Sequence, residues 1–168
     1  SRYHKFKFIF KKFLKKKIKN NEIKILDLKF DNFTKKKIDK LKPSKYLLDF
    51  FQKKKNVYNF YISTGTPQKK INEILEKKKL KNYFKKIYGG PKSKTSHIKE
   101  IKKNHLKTLF IGDSYEDFLA SNKTKIFFVL KLNSENSRFR KKIKSKKINS
   151  FKNFEKIIKN SLEWLNNY

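Results

Sequence analysis

Hydrophobic residues in the first third of the chain recur at intervals of three and four, the spacing of an α-helix face. The pattern predicts a helix over 2–18, with an apolar face of Tyr3, Phe6, Phe10, Phe13 and Leu14. It predicts a second helix over 22–41, with an apolar stripe of Ile23, Leu26, Phe30, Phe33 and Ile38. Pro43 and Ser44 then interrupt the pattern and favour a third helix over 45–55.

From residue 57 onward, short β-prone runs alternate with helical patterns. Strands are predicted at 57–62, around Ile87 and Tyr88, at 108–111 and at 125–130. Turn residues at 63–67 end the first strand. Helices are predicted at 67–79 and at about 95–103, followed by a short helix that ends near Ser121 and a closing helix over 151–165. The polar segment 133–147 is expected to form a loop or a loose helix. Such alternation indicates an α/β fold with a parallel sheet covered on both faces.

Lysine dominates the composition, but this excess gives little support for a dedicated nucleic-acid-binding function. The chain has 47 basic and 14 acidic residues, a net charge of +33, and only three of the basic residues are arginine. Arginine is the usual reader of bases, and Lys shares A/T-rich codons with the abundant Asn, Phe, Ile and Tyr. Compositional drift therefore explains the excess better than a dedicated nucleic-acid site, although weak, non-specific binding to polyanions is expected.

Two further features of the composition exclude classes of function. The chain has no cysteine, which excludes disulfides and thiolate metal sites. It contains no apolar run of 18 residues, so we expect no membrane partner and a cytoplasmic location.

The stretch 108–122 contains no basic residue, yet it holds three of the fourteen carboxylates. Asp113 and Asp117 follow a predicted strand and stand four residues apart, so both side chains can face one point. Carboxylate oxygens suit Mg²⁺, which keeps waters and a substrate phosphate as its other ligands. The alternative is that Asp113 or Ser114 only caps the helix that follows.

Two other loops end at the same predicted edge of the sheet. In STGTP (63–67), a hydroxyl at a strand end stands beside Gly65, before a helix whose free backbone N–H groups favour phosphate. Either Ser63 or Thr64 supplies that hydroxyl. In GGPKSK (89–94), a lysine precedes a helix, with Lys94 favoured over Lys92.

FYISTGTP, GGPKSK and FIGDSYED, in this order, resemble motifs II, III and IV of the haloacid dehalogenase-like hydrolases, and within them the phosphoglycolate phosphatase-type branch. The resemblance covers about residues 43–131. It implies a Rossmann-like parallel sheet in a core domain at 43–168. The segment 1–42 resembles part of the helical cap of such proteins.

The resemblance implies a role for each motif residue. Thr64, with Ser63 as the alternative, would hydrogen-bond the transferring phosphoryl group, assisted by the Gly65 N–H. Lys94 would neutralise phosphate, Asp113 would hold Mg²⁺, and Asp117 would support the metal directly or through water. The implied activity is hydrolysis of a small phosphorylated metabolite through an aspartyl-phosphate.

One family motif is missing, the Asp-x-Asp of motif I that supplies the nucleophile and the general acid/base. No aspartate in this sequence has another two positions later. We expect a truncated phosphatase that is inactive alone; natural loss of the catalytic strand is the alternative. A non-enzymatic, lysine-rich protein that binds nucleic acid or other polyanions is the alternative function.

Overall fold

The computed structural model describes residues 2–136, 139, 148–152 and 154. Three helices come first: α1 (Arg2–Lys12), α2 (Asn20–Lys40) and α3 (Lys45–Lys54). Strands and helices then alternate as β1 (Tyr61–Pro67), α4 (Gln68–Lys77), a 3₁₀ turn (Lys81–Tyr83), β2 (Lys86–Gly90), α5 (Lys94–Lys102), β3 (Leu109–Gly112), α6 (Tyr115–Thr124), β4 (Phe127–Lys131) and β5 (Ser150–Phe151). The predicted α/β class is confirmed.

All strand pairs in the described part of the chain are parallel, but they form two separate sheets. One sheet pairs β1 with β2, and the other has the order β3-β4-β5. The interruption therefore falls between the β1–β2 pair and the β3-β4-β5 sheet. Because all pairs are parallel, the carboxyl ends of β1 and β2 form one edge, and those of β3 and β4 form another.

Alternation along β4 shows that helices cover both faces of the second sheet. Val129 is completely buried and packs with Phe50 and Phe51 of α3. Phe128 and Leu130, its neighbours in sequence, pack with Phe118 of α6 on the opposite face. Successive side chains of a strand point to opposite faces, so this distribution requires a helix layer on each side. Fully burying a side chain of this size contributes roughly 1.5–3 kcal/mol.

The aromatic cluster around α3 also links the two sheets. Phe60 precedes β1 and packs against Phe51, with ring centroids 4.9 Å apart. The same cluster includes Leu109 and Ile111 of β3. Apolar packing therefore holds the two sheets together at this face, although β1 and β3 do not pair.

The end of α2 contacts the rest of the chain through charged groups of α4 and the residue after it. The Lys78 ammonium donates to the backbone carbonyls of Asp39 and Leu41, at 2.8 and 2.6 Å. Lys77 lies 2.7 Å from the Asp39 carboxylate, and this hydrogen-bonding cation lowers the Asp39 pKa. No described helix is long and apolar enough to cross a bilayer.

Three predicted boundaries are wrong. The first helix ends at Lys12 rather than at 18, because Lys15 adopts a left-handed φ of 53°. The predicted strand 57–62 begins later, at Tyr61, because the backbone N–H groups of Val57 and Tyr58 close the end of α3 by bonding to the Lys54 carbonyl. Residues 63–67, predicted as a turn, continue β1.

The predicted closing helix is also wrong at its start. Phe151 lies in β5, where its carbonyl accepts a 2.8 Å hydrogen bond from the Leu132 N–H. It is buried in the aromatic cluster, a place that suits a β-prone side chain as well as a helical one. Most of the rest of that predicted helix, and most of the predicted loop 133–147, fall outside the described residues.

Candidate active site at the carboxyl ends of the strands

Asp117 is the buried centre of the acidic loop. Its side chain is only 4% exposed, and both carboxylate oxygens have partners. The Lys94 ammonium contacts Oδ1. Oδ2 accepts from the Ser114 backbone N–H at 3.1 Å and from the Ser114 hydroxyl at 2.7 Å. A buried carboxylate is tolerated only when it is paired and hydrogen-bonded, and these three donors meet that condition.

Ser114 also caps α6, so the structural alternative considered from sequence is present. Its Oγ accepts from the Asp117 backbone N–H at 3.2 Å, which completes a capping box with the Asp117 side chain. Capping and the Lys94 contact use different oxygens of Asp117. The capping of α6 by Ser114 is therefore compatible with the contact between Asp117 and Lys94.

Gly112 allows this arrangement by leaving space beside Asp117. A Cβ added at Gly112 would lie 2.4 Å from the Asp117 Cβ and 2.8 Å from its Oδ2. Such contacts are far shorter than van der Waals separation, so a larger residue would displace the carboxylate. The glycine of the GDSYED loop is thus required for close approach rather than for an unusual φ.

Lys94 is the first residue of α5, one position before the predicted helix start. Ser93 caps the helix by accepting from the Ser96 N–H at 3.2 Å. The Lys94 side chain is 25% exposed and reaches Asp117, 23 residues later in the chain. Lys92, the alternative from sequence, is exposed. The structure therefore brings Lys94 to the acidic loop.

Asp113 is exposed at the end of β3, and two asparagines that sequence reasoning missed fix its position. Its Oδ2 accepts from the Asn133 side-chain amide at 3.2 Å. The buried Asn136 amide donates to the Asp113 carbonyl at 3.1 Å and to the Lys131 carbonyl at 2.7 Å. Both asparagines follow β4 in the sequence. Their position just after the carboxyl end of a strand is the feature that could have identified them from sequence.

Thr64 and Gly65 are the fourth and fifth of the seven residues of β1, so the structure places them within the strand rather than after it. The Thr64 Oγ1 accepts from the Thr66 backbone N–H at 3.2 Å. Gly65 is exposed, and a Cβ placed there would meet no atom within 4 Å. Among the described residues, no hydrogen bond joins Thr64 to Lys94 or Asp113. Open space at Gly65 leaves room for a ligand at this position of β1.

Ser63, the alternative to Thr64, is bonded to a histidine that sequence reasoning missed. The Ser63 Oγ lies 2.9 Å from Nδ1 of His97, and the His97 ring stacks on Tyr88. Burial lowers the His97 pKa, as do Lys92 and Lys94 nearby, while Glu100 and a hydrogen bond with the Gly89 backbone oppose the shift. His97 is 1% exposed. Its neutral form is therefore favoured.

The donor set fits a magnesium ion at Asp113 better than at Asp117. The described residues contain no group of three or more His, Cys, Asp or Glu side chains that could hold a metal. Asp117 has both oxygens engaged, whereas Asp113 is exposed to solvent. Mg²⁺ is commonly held by one or two carboxylates with waters completing its shell. Of the two carboxylates, Asp113 is therefore the one that could hold such an ion.

Comparisons with known proteins give a consistent picture. The model of the family described as haloacid dehalogenase-like hydrolase matches residues 4–131. A haloacid dehalogenase-like family hydrolase from Streptococcus pneumoniae superposes with a TM-score of 0.68 at 15% identity, over 85% of this chain and 71% of that one.

A second solved structure has the same fold. A protein from Clostridium difficile, described as a candidate phosphatase, superposes with a TM-score of 0.67 at 20% identity, over 92% of this chain and 76% of that one. No curated protein matches. At these identities the two structures establish the shared fold, and the family model covers most of the chain.

Proposed function

Because the chain belongs to the haloacid dehalogenase-like hydrolases, we propose that it forms part of a Mg²⁺-dependent phosphatase acting on a small phosphate monoester. The observation that supports this most strongly is the contact between Lys94 and the buried Asp117, which follows Asp113 by four residues in the chain. A cation held at a strand's carboxyl end by a buried carboxylate suits the neutralisation of phosphoryl charge.

The residues at the strand ends take distinct roles in this proposal. Asp113 would hold Mg²⁺, which when bound stabilises negative charge on phosphoryl oxygens. Lys94, held by Asp117, would pair with a phosphoryl oxygen. The Thr64 hydroxyl and the Gly65 N–H would donate hydrogen bonds to the same group.

The nucleophile is the one part that these residues do not provide. In the proposed reaction an aspartate oxygen attacks phosphorus, the ester P–O bond breaks, and the leaving oxygen takes a proton from a general acid to depart as the alcohol. Water then attacks the aspartyl-phosphate, which releases inorganic phosphate and restores the aspartate. The sequence contains no Asp-x-Asp, and the described strands form two separate sheets. We therefore expect the 168-residue chain to have no phosphatase activity by itself.

Hydrolysis of a generic aryl phosphate with Mg²⁺ tests the proposal. The chain alone should give only background hydrolysis, and a chain extended by a strand ending in Asp-x-Asp should give turnover. In the extended chain, Lys94→Met should lower kcat by roughly a hundredfold, as expected for loss of a charge-stabilising donor. Lys92→Met is the matched control and should change little.

Two results would contradict this proposal. Turnover by the unextended chain would place the nucleophile within the 168 residues. Loss of activity in Lys92→Met with full activity in Lys94→Met would show that the motif III lysine had been assigned two residues too late.

A further inference from the structure

Two side chains of β1, Tyr61 and Ser63, each contact a histidine on the same face of the strand. At the third residue of the strand, the Ser63 Oγ lies 2.9 Å from His97 Nδ1. At the amino end, the Tyr61 hydroxyl lies 2.6 Å from His105 Nε2. Residues two apart on a strand share a face, so Ser63 and Tyr61 point toward the same helix layer. The two pairs have similar chemistry but different distances along β1 from Thr64.

The Ser63–His97 pair joins the two segments that carry the proposed phosphate ligands. Ser63 adjoins Thr64 in β1, and His97 lies three residues after Lys94, on the same side of α5. We infer that His97 is a positioning residue, which through Ser63 fixes the part of β1 that carries Thr64 relative to the first turn of α5. This inference rests on the proposed function, because it assigns the pair to the phosphate site.

The surroundings of His97 support a fixed position. The ring is 1% exposed and stacks on Tyr88 with a centroid distance of 5.3 Å and an interplanar angle of 27°. A buried side chain held on one face by an aromatic ring and at Nδ1 by a hydroxyl has little freedom to move. Among the described residues, no hydrogen bond joins Thr64 to Lys94. In this part of the chain, the Ser63–His97 hydrogen bond is the polar contact that links β1 to α5.

Binding of inorganic phosphate to the 168-residue chain tests this inference. The amide signals of Thr64 and Gly65 in ¹H–¹⁵N NMR spectra, at constant ionic strength, report the site separately from the lysine-rich surface. Loss of one hydrogen bond changes an equilibrium by about three- to tenfold. Ser63→Ala should weaken phosphate binding by about this factor, and Ser63→Thr, which keeps the hydroxyl, should restore it.

Tyr61→Phe is the matched control, because it removes the other histidine-bonded hydroxyl from the same strand face. It should leave the phosphate affinity within about twofold of the wild-type value. Equal weakening by Ser63→Ala and Tyr61→Phe would overturn the inference, since any loosening of β1 would then suffice.

Lys94→Met separates this inference from the proposed function. If it weakens phosphate binding while Ser63→Ala does not, the phosphate site stands and the role of His97 is refuted. If it leaves the Thr64 and Gly65 signals titrating as in wild type, the proposed phosphate site itself is refuted.

Discussion

Replacing Lys94 with methionine tests how much the Lys94–Asp117 contact stabilises the fold. Methionine keeps most of the side-chain length but removes the ammonium. The Asp117 side chain, 4% exposed, would then carry an unpaired buried charge. Removing one partner of a buried pair costs about 3–5 kcal/mol. Lys94 is 25% exposed and Asp117 keeps two donors on Ser114, so we expect a loss of about 2 kcal/mol.

Urea denaturation followed by circular dichroism measures this loss as a change in the free energy of unfolding. Lys92→Met, two residues earlier and exposed, is the control and should stay within about 0.5 kcal/mol of wild type. Adding Asp117→Asn to Lys94→Met should recover part of the loss, because the unpaired charge is then gone. If Lys94→Met is no less stable than Lys92→Met, the reasoning about this pair is refuted.

Three further predictions use the same chain. Gly112→Ala would place its Cβ 2.4 Å from the Asp117 Cβ. The free energy of unfolding measured by urea denaturation should fall by roughly 1–3 kcal/mol. An unchanged urea midpoint would contradict the prediction that a larger residue crowds Asp117. Burial lowers the His97 pKa, so below pH about 6.5 the unfolded chain binds more protons than the folded chain. The free energy of unfolding should therefore be full above pH about 6.5 and decline as pH falls through the folded-state pKa of His97. His97→Gln should flatten that decline in denaturation curves from pH about 5 to 7. Oligonucleotides of unrelated sequence should bind with similar affinity that falls steeply with salt; a strong preference for one sequence, kept at physiological salt in a fluorescence titration, would favour a dedicated nucleic-acid site.

The sequence pattern predicted the helices and the alternation of the core well, because burial imposes hydrophobic periods of two and three to four. It failed where tertiary pairing decides the outcome. Residues 63–67 look like a turn because of Gly65 and Pro67, yet they pair with β2 as far as Gly90. Phe151 fits a helical spacing with Phe154, yet it pairs with Lys131 in β5.

The candidate site, like the fold, could be predicted only in part from the sequence. The motif residues follow predicted strands in the sequence, and this position, with the family resemblance, indicated Lys94, Asp113 and Asp117 as candidates. Sequence could not indicate that Asp117 is buried with both oxygens occupied. The Ser63–His97 pair joins residues 34 positions apart, and a single histidine in a helical pattern carries no signal of its partner.

A crystal structure of the chain grown with Mg²⁺ and phosphate tests the shared phosphate and metal site most directly. The account predicts a phosphate within hydrogen-bond distance of the Thr64 hydroxyl and the Lys94 ammonium. It also predicts a metal ion at about 2.0–2.1 Å from an Asp113 carboxylate oxygen, the distance typical of Mg²⁺. Phosphate bound only among surface lysines of α1 and α2, with no ion at Asp113, would contradict the shared site.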